Sequence, residues 1–303
     1  MKKLRNEIAE AIGIADPSSA PYVEYKLLET TKEDGYTRQL IEYDSYGDKV
    51  IAFLLIPEKL GKNPAVLINH QHNREHHLGK SEVCGIAGNP LQAFGSVLAK
   101  RGFIVLAPDA ICFEDRRKDP RAVGFDFWQH FNEMCYRILN GECLMKKVLD
   151  DAVSGITLLS HLDYVDKDKI GTLGHSMGGN TVLFLAAVDE RISFSCASGS
   201  ACTYENRMKN DVGIEISSVI PNFHKKYDIY DLVSCTAPRR LLIVSSDEDK
   251  YSRDASYIVE KAAPAYSKYE ALKNLQHKRY SGGHEMTKER FDFIIEWLEA
   301  NAK

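Results

Sequence analysis

No stretch of this chain is apolar for long enough to cross a bilayer as a helix, so no membrane partner is expected. The opening MKKLRNEIAEAIGIA has the basic residues of a secretory leader, but Glu7 and Glu10 interrupt the apolar run a leader needs. A short amphipathic helix is expected there instead, within an N-terminal extension of residues 1–20, with Leu4, Ile8 and Ile12 on one face and Gly13 and Pro17 ending it. Paired cysteines are also missing. The seven (84, 112, 135, 143, 196, 202, 235) are odd in number and dispersed without C-x-x-C spacing, so reduced core thiols and a cytoplasmic location are expected. Excess positive charge is absent too: a net charge of -4 leaves no general basic surface, which argues against a nucleic-acid partner. Repeats and low-complexity linkers are absent as well. A 34.1 kDa chain buries on the order of 36,000 Å² on folding, enough for one domain over 1–303 without metals or disulfides. Nothing here fixes an oligomeric state.

What is present is an alternation of strand and helix signals. Residues 22–31, 36–45 and 49–56 read as three strands separated by Gly35 and Gly47-Asp48 turns, able to pair antiparallel at one edge. From Pro64 onward strands are expected at 65–69, 103–107, 169–173, 192–197, 240–245 and 277–280, with helical stretches between them. That order is the signature of a doubly wound, mostly parallel sheet. A helix over 90–101 should close at Gly102, and a last helix from about Thr287 should bury Phe291, Ile294, Ile295 and Leu298.

The most informative run is Gly174-His175-Ser176-Met177-Gly178-Gly179. Ile170 to Leu173 before it is strand-like, and TVLFLAAV after it is apolar and helix-compatible, so Ser176 stands on a tight strand-to-helix turn. Glycines two before and two after remove the β-carbons that would clash there. The new helix aims free N–H groups and its positive dipole end at the same place, where an oxyanion would develop. The pentapeptide alone is weak, since a capped Gly-rich helix start looks the same. A serine hydroxyl also needs a base and an acid, in the order Ser, Asp, His. Arg240 to Ser245 reads as a buried strand running into Ser246-Asp247-Glu248-Asp249. Asp249, several positions past the strand end, can turn back over the sheet edge; Asp247 is the alternative, and Glu248 reads as solvated. His284, after Ser281-Gly282-Gly283, is the candidate base. For the oxyanion, Met177 N–H would be one donor and the N–H of Gln71 or His72, in the loop after the strand Ala65–Asn69, the other.

Two segments break the rhythm and are expected to shape a pocket. Residues 110–145 hold Phe113, Phe125, Phe127, Trp128, Phe131, Met134 and Tyr136. Phe127, Phe131, Met134 and Ile138 share a helical face, so packing competes with a substrate-facing lid. Residues 200–236 hold Tyr204, His224, Tyr227 and Tyr230 between two strands. Candidate substrate contacts are His70, Asp109, Trp128, Phe131 and Tyr204. The histidines 70, 72, 76 and 77 invite a metal reading. The strand feeding their loop explains their position, and no H-E-x-x-H helix accompanies them, so neither metal nor cofactor is expected. Lys80 with Glu82, and Glu114 to Arg117, read as salt-bridged loop anchors.

With these residues assembled, the chain resembles the α/β hydrolases, in their dienelactone-hydrolase-like branch near acetyl xylan esterases and related carboxylesterases. The resemblance covers residues 36–301 and rests on LINHQHNREHHLGKSE, RGFIVLAPDAICFEDRR, DKIGTLGHSMGG, APRRLLIVSSDEDKY and YSGGHEM. It implies a mostly parallel eight-stranded sheet with helices on both faces, and a triad of Ser176, Asp249 and His284. Two departures stand out: dienelactone hydrolases carry cysteine where Ser176 stands, and the usual His-Gly of the oxyanion loop is His70-Gln71. The expected activity is hydrolysis of a small-molecule ester, an acetylated sugar among the candidates. A thioesterase, an acyltransferase or a peptidase would use the same triad, and a non-catalytic binding module would lack a member of it.

Overall fold

Each buried strand carries apolar side chains on both faces, because helices cover the sheet on both sides. In the computed structural model, which describes residues 1–119 and 126–302, one sheet contains β1 (Tyr25–Glu33), β2 (Tyr36–Ser45), β3 (Asp48–Pro57), β4 (Asn63–Asn69), β5 (Ile104–Pro108), β6 (Val165–His175), β7 (Phe194–Ser198), β8 (Arg240–Ser246) and β9 (Leu275–Tyr280). Their order is β1-β2-β3-β5-β4-β6-β7-β8-β9. The first three strands and the β3–β5 pair are antiparallel, and the rest are parallel. The antiparallel edge and the six later strands match the sequence expectation. The count does not: the resemblance implied eight strands, and the sheet formed by the described residues has nine. The additional one is accounted for at the edge, where β1 is largely exposed and dense in Lys, Glu and Thr, a composition that discourages further pairing.

Pleating divides the core in two. Along β4, Ala65 and Leu67 face one side with Leu106, Phe184 and Leu241, while Val66 and Ile68 face the other with Phe94, Phe194 and Ile294. Helices Leu144–His161, Met177–Val188, Ile229–Thr236 and Ala255–Ser267 cover the first face. Phe94–Lys100 and Lys288–Asn301 cover the second. Residues 90–92 form a separate 3-10 turn before Phe94–Lys100, so the helix expected from 90 is shorter. The N-terminal helix, Lys2–Ile12, seats Ile8 and Ile12 in the core, and buried Arg5 donates to the Ala187 and Cys235 carbonyls at 3.0 Å. A cation there suits the negative ends of two helices. Among the described residues no helix is long and apolar enough to cross a membrane.

Candidate active site

The parallel strands β4, β6, β7, β8 and β9 all point their C-terminal ends to one edge, where the loops collect. Ser176 sits at the end of the central strand β6 with φ 56° and ψ -117°, a left-handed conformation that L-residues adopt only when surroundings enforce it. The enforcement is visible. A Cβ on Gly174 would come within 2.2 Å of the Gly178 carbonyl carbon, and one on Gly178 within 2.0 Å of the Asn69 carbonyl oxygen. The turn is therefore pressed against its own backbone and against the end of β4. The Ser176 N–H donates to the Ser198 carbonyl at 2.8 Å, anchoring the turn to β7 as well.

The three residues expected to act together meet here. His284 Nε2 lies 2.9 Å from Ser176 Oγ, and His284 Nδ1 lies 3.0 Å from Asp249 Oδ1. Asp249 is buried. Burial pushes its carboxyl up, but the bond from His284 and those from the Ser252 hydroxyl and the Tyr251 N–H outweigh this and hold it below the usual range. Asp247, the alternative, is exposed and accepts the Gly282 N–H at 2.8 Å. It braces the histidine loop from outside. Glu248 is exposed, as expected.

Two further residues of the site escaped the sequence reading. His175 is buried, hydrogen-bonded to Ser198 Oγ at 3.0 Å, and stacks on the His284 ring at 4.9 Å. Burial pushes its pKa down to about 3, so it is a neutral plate behind the imidazole. Arg290 is buried and donates to the carbonyls of Gly283, Glu285 and Ser281 at 3.0, 2.7 and 3.2 Å, holding the loop that presents His284. The available signal was spacing: Arg290 falls on the buried face of the last helix with Ile294 and Leu298, where a charge needs a reason.

A cavity of about 460 Å³ opens beside Ser176 and His284, lined also by Gln71, His72, Asn180, Arg207, Glu215 and Tyr251. Both candidate second oxyanion donors thus border it. Arg207 and Glu215 come from the 200–236 segment, and burial pushes the Glu215 carboxyl up to about 7. None of the five candidate substrate contacts lines this cavity. His70 is buried, with Nδ1 donating to the Gln71 carbonyl at 2.8 Å and Nε2 accepting the Ala110 N–H at 3.0 Å, so it pins two loops together. Asp109 is buried against Lys80. Tyr204 is buried with its hydroxyl on the Ser218 carbonyl at 2.7 Å. Trp128 is 53% exposed on the outer side of the helix Asp126–Leu139, in an aromatic cluster with Phe127 and the partly buried Phe131. Of the face expected from Phe127, Met134 is buried as expected, but it shares the buried stripe with His130 and not with the exposed Phe127. Phe125 lies outside the described residues.

The anchor network also differs from expectation. Lys80, 1% exposed, bonds Asp109 at 2.8 Å and Glu114 and Asp115 at 2.6 Å each. Glu82 takes the Gln71 side-chain amide instead, at 3.0 and 3.1 Å. Burial opposes the Lys80 charge, but Asp109 and Glu114 raise its pKa above the ordinary value. Lys80→Met strands the buried Asp109 carboxylate, and a loss of about 3–5 kcal/mol is expected. Urea unfolding of the variant measures it.

His72 is pushed down to about 4 by burial and by His76, and His130 to about 3 by burial and by His72. Both rings are neutral at pH 7.

A profile described as the abhydrolase family matches residues 2–292, and the chain belongs to that family. A curated relative, the provisionally named hydrolase YtaP of Bacillus subtilis (strain 168), is 27% identical over 286 residues, covering 91% of this chain and 92% of its own. Among solved structures, a provisionally assigned acetyl xylan esterase from Bacteroides fragilis NCTC 9343 is 18% identical with a TM-score of 0.77, covering 92% of this chain and 74% of that one. A glucuronoyl esterase from Solibacter usitatus is 14% identical with a TM-score of 0.71, covering 98% and 91%. The α/β-hydrolase fold is thereby shown; at such identities the structural likeness carries the fold alone.

Proposed function

We propose that this chain is a serine carboxylesterase acting on small esters, acetylated carbohydrates foremost. One observation carries the reading: an unbroken line of hydrogen bonds from Ser176 Oγ through His284 to buried Asp249, at 2.9 and 3.0 Å. Asp249 fixes the proton on Nδ1, leaving the Nε2 lone pair to accept the serine proton as Oγ attacks the carbonyl. Negative charge then builds on the carbonyl oxygen, where Met177 N–H, free at a helix start, and the N–H of Gln71 or His72 would receive it. His284 next protonates the leaving alcohol, and water attacks the acyl-serine by the same route in reverse.

The esterases among the structural neighbours support the ester reading, and the polar cavity lining supports a polar alcohol. In this reading Arg207 and Glu215 give the 200–236 segment its part in specificity. The dispersed, odd-numbered cysteines support a cytoplasmic location. A p-nitrophenyl ester series tests the proposal. Acetate is expected to exceed butyrate in kcat/KM by about 10-fold or more. Activity that rises with chain length contradicts the small-ester reading. Turnover of thioesters or amides alone would move the enzyme to another reaction on the same triad.

A further inference from the structure

The loop after β4 and the helix Asp126–Leu139 meet at three imidazoles. His72 and His76 come from the loop, His130 from the helix. One ring nitrogen from each lies within 4.8 Å of the other two. The surroundings are aromatic, and His72 also borders the cavity beside Ser176. Phe113, fully buried, stacks on His76 at 4.6 Å and meets His72 and His130 edge-on at 5.4 and 5.3 Å. Buried ring nitrogens ordinarily hold a hydrogen bond. Here Nε2 of His72, Nε2 of His76 and Nδ1 of His130 have none. Apolar rings would serve packing better, so three clustered imidazoles, each with a buried nitrogen that lacks a hydrogen-bond partner, call for a ligand.

We propose that His72, His76 and His130 form a binding site for a divalent transition-metal ion of the zinc type. Imidazole suits zinc and its neighbours in the series, and three such ligands leave a fourth position for water. Zinc–nitrogen bonds of about 2.0–2.1 Å require nitrogens roughly 3.4 Å apart, so the rings turn inward slightly on binding. Ligation through His72 Nε2 moves the proton to Nδ1, which now accepts the Arg74 N–H at 3.2 Å. Arg74 is exposed, and water replaces that bond. A carboxylate stands close by: Asp126, one helical turn before His130, pairs its Oδ2 with Arg117 at 3.8 Å and has a buried Oδ1 without a hydrogen-bond partner. Among the described residues the other cluster able to bind a cation, Asp109, Glu114 and Asp115, already holds the Lys80 ammonium. The sequence could pair His72 with His76, but the third ligand is 54 residues beyond His76 and only the fold delivers it. An ion here would tie the loop bearing Gln71 and His72 to the helix that packs over it.

The test reads metal content and stays independent of any esterase assay. Chelator-treated protein titrated with Zn²⁺ in a calorimeter is expected to take one ion per chain, and its melting temperature to rise with the ion. His76→Phe and His130→Phe keep a ring against Phe113. Each is expected to weaken binding by at least the upper end of what a lost supporting contact costs, about 100-fold. His77→Ala, exposed and outside the cluster, should leave the affinity unchanged. Circular dichroism checks that the variants fold. Wild-type protein needs no variant: bound Co²⁺ is expected to show the intense visible absorption of a low-coordinate site. Absence of Zn²⁺ binding, binding retained in both phenylalanine variants, or only weak octahedral Co²⁺ absorption would overturn the proposal.

Discussion

Ser176→Ala is expected to lower kcat for p-nitrophenyl acetate by on the order of 10⁴- to 10⁶-fold, while the circular dichroism spectrum stays that of the wild type. The size of the loss follows from what is removed. In the proposed mechanism no acyl-enzyme forms without Oγ, and only binding and the proposed oxyanion donors would remain to help water attack. The fold should tolerate the change, because the strained turn is held by the Gly174–Gly178 approach and by the Ser176 N–H bond to Ser198, neither of which uses the hydroxyl. A variant that retains more than a tenth of wild-type turnover would remove Ser176 from the reaction.

Asp249→Ala is expected to cost roughly 10⁴-fold in kcat, and Asp247→Ala little. Both carboxylates follow β8, but only Asp249 is buried and touches the imidazole. Removing it frees His284 to turn or to carry its proton on the wrong nitrogen. Asp247 accepts one loop N–H at the surface. The same pair separates in acid. Asp249 is held below its ordinary value in the folded protein, so its contribution to stability is complete above the unfolded value, about 4, and is lost as pH falls through the folded one. Wild type should therefore lose stability relative to Asp249→Ala as pH drops below about 4. Equal acid sensitivity of the two proteins would argue against that bond.

The parts of the site written in local sequence were legible. Gly174 to Gly179 specifies the turn through backbone crowding, and the order Ser176, Asp249, His284 follows from strands that each end at one sheet edge. The strand positions from β2 to β9 were readable for a related reason, since buried parallel strands are short apolar runs between turn signals. Side-chain partners were not legible where they depend on approach in space. Lys80 chose Asp109 over Glu82 because β4 and β5 are neighbours in the sheet. Trp128 and Phe131 looked like pocket residues by composition, yet the helix presents His130 and Met134 inward. His70 looked functional and proved a pin between loops, while His175 and Arg290, which support His284, were hidden in segments explained by other features.

The most direct measurement is fluorophosphonate labelling followed by peptide mapping of the adduct. One adduct per chain is expected, on the peptide carrying Ser176, lost in Ser176→Ala and slowed severely in His284→Ala. An adduct on another residue, or full labelling of either variant, would contradict the account.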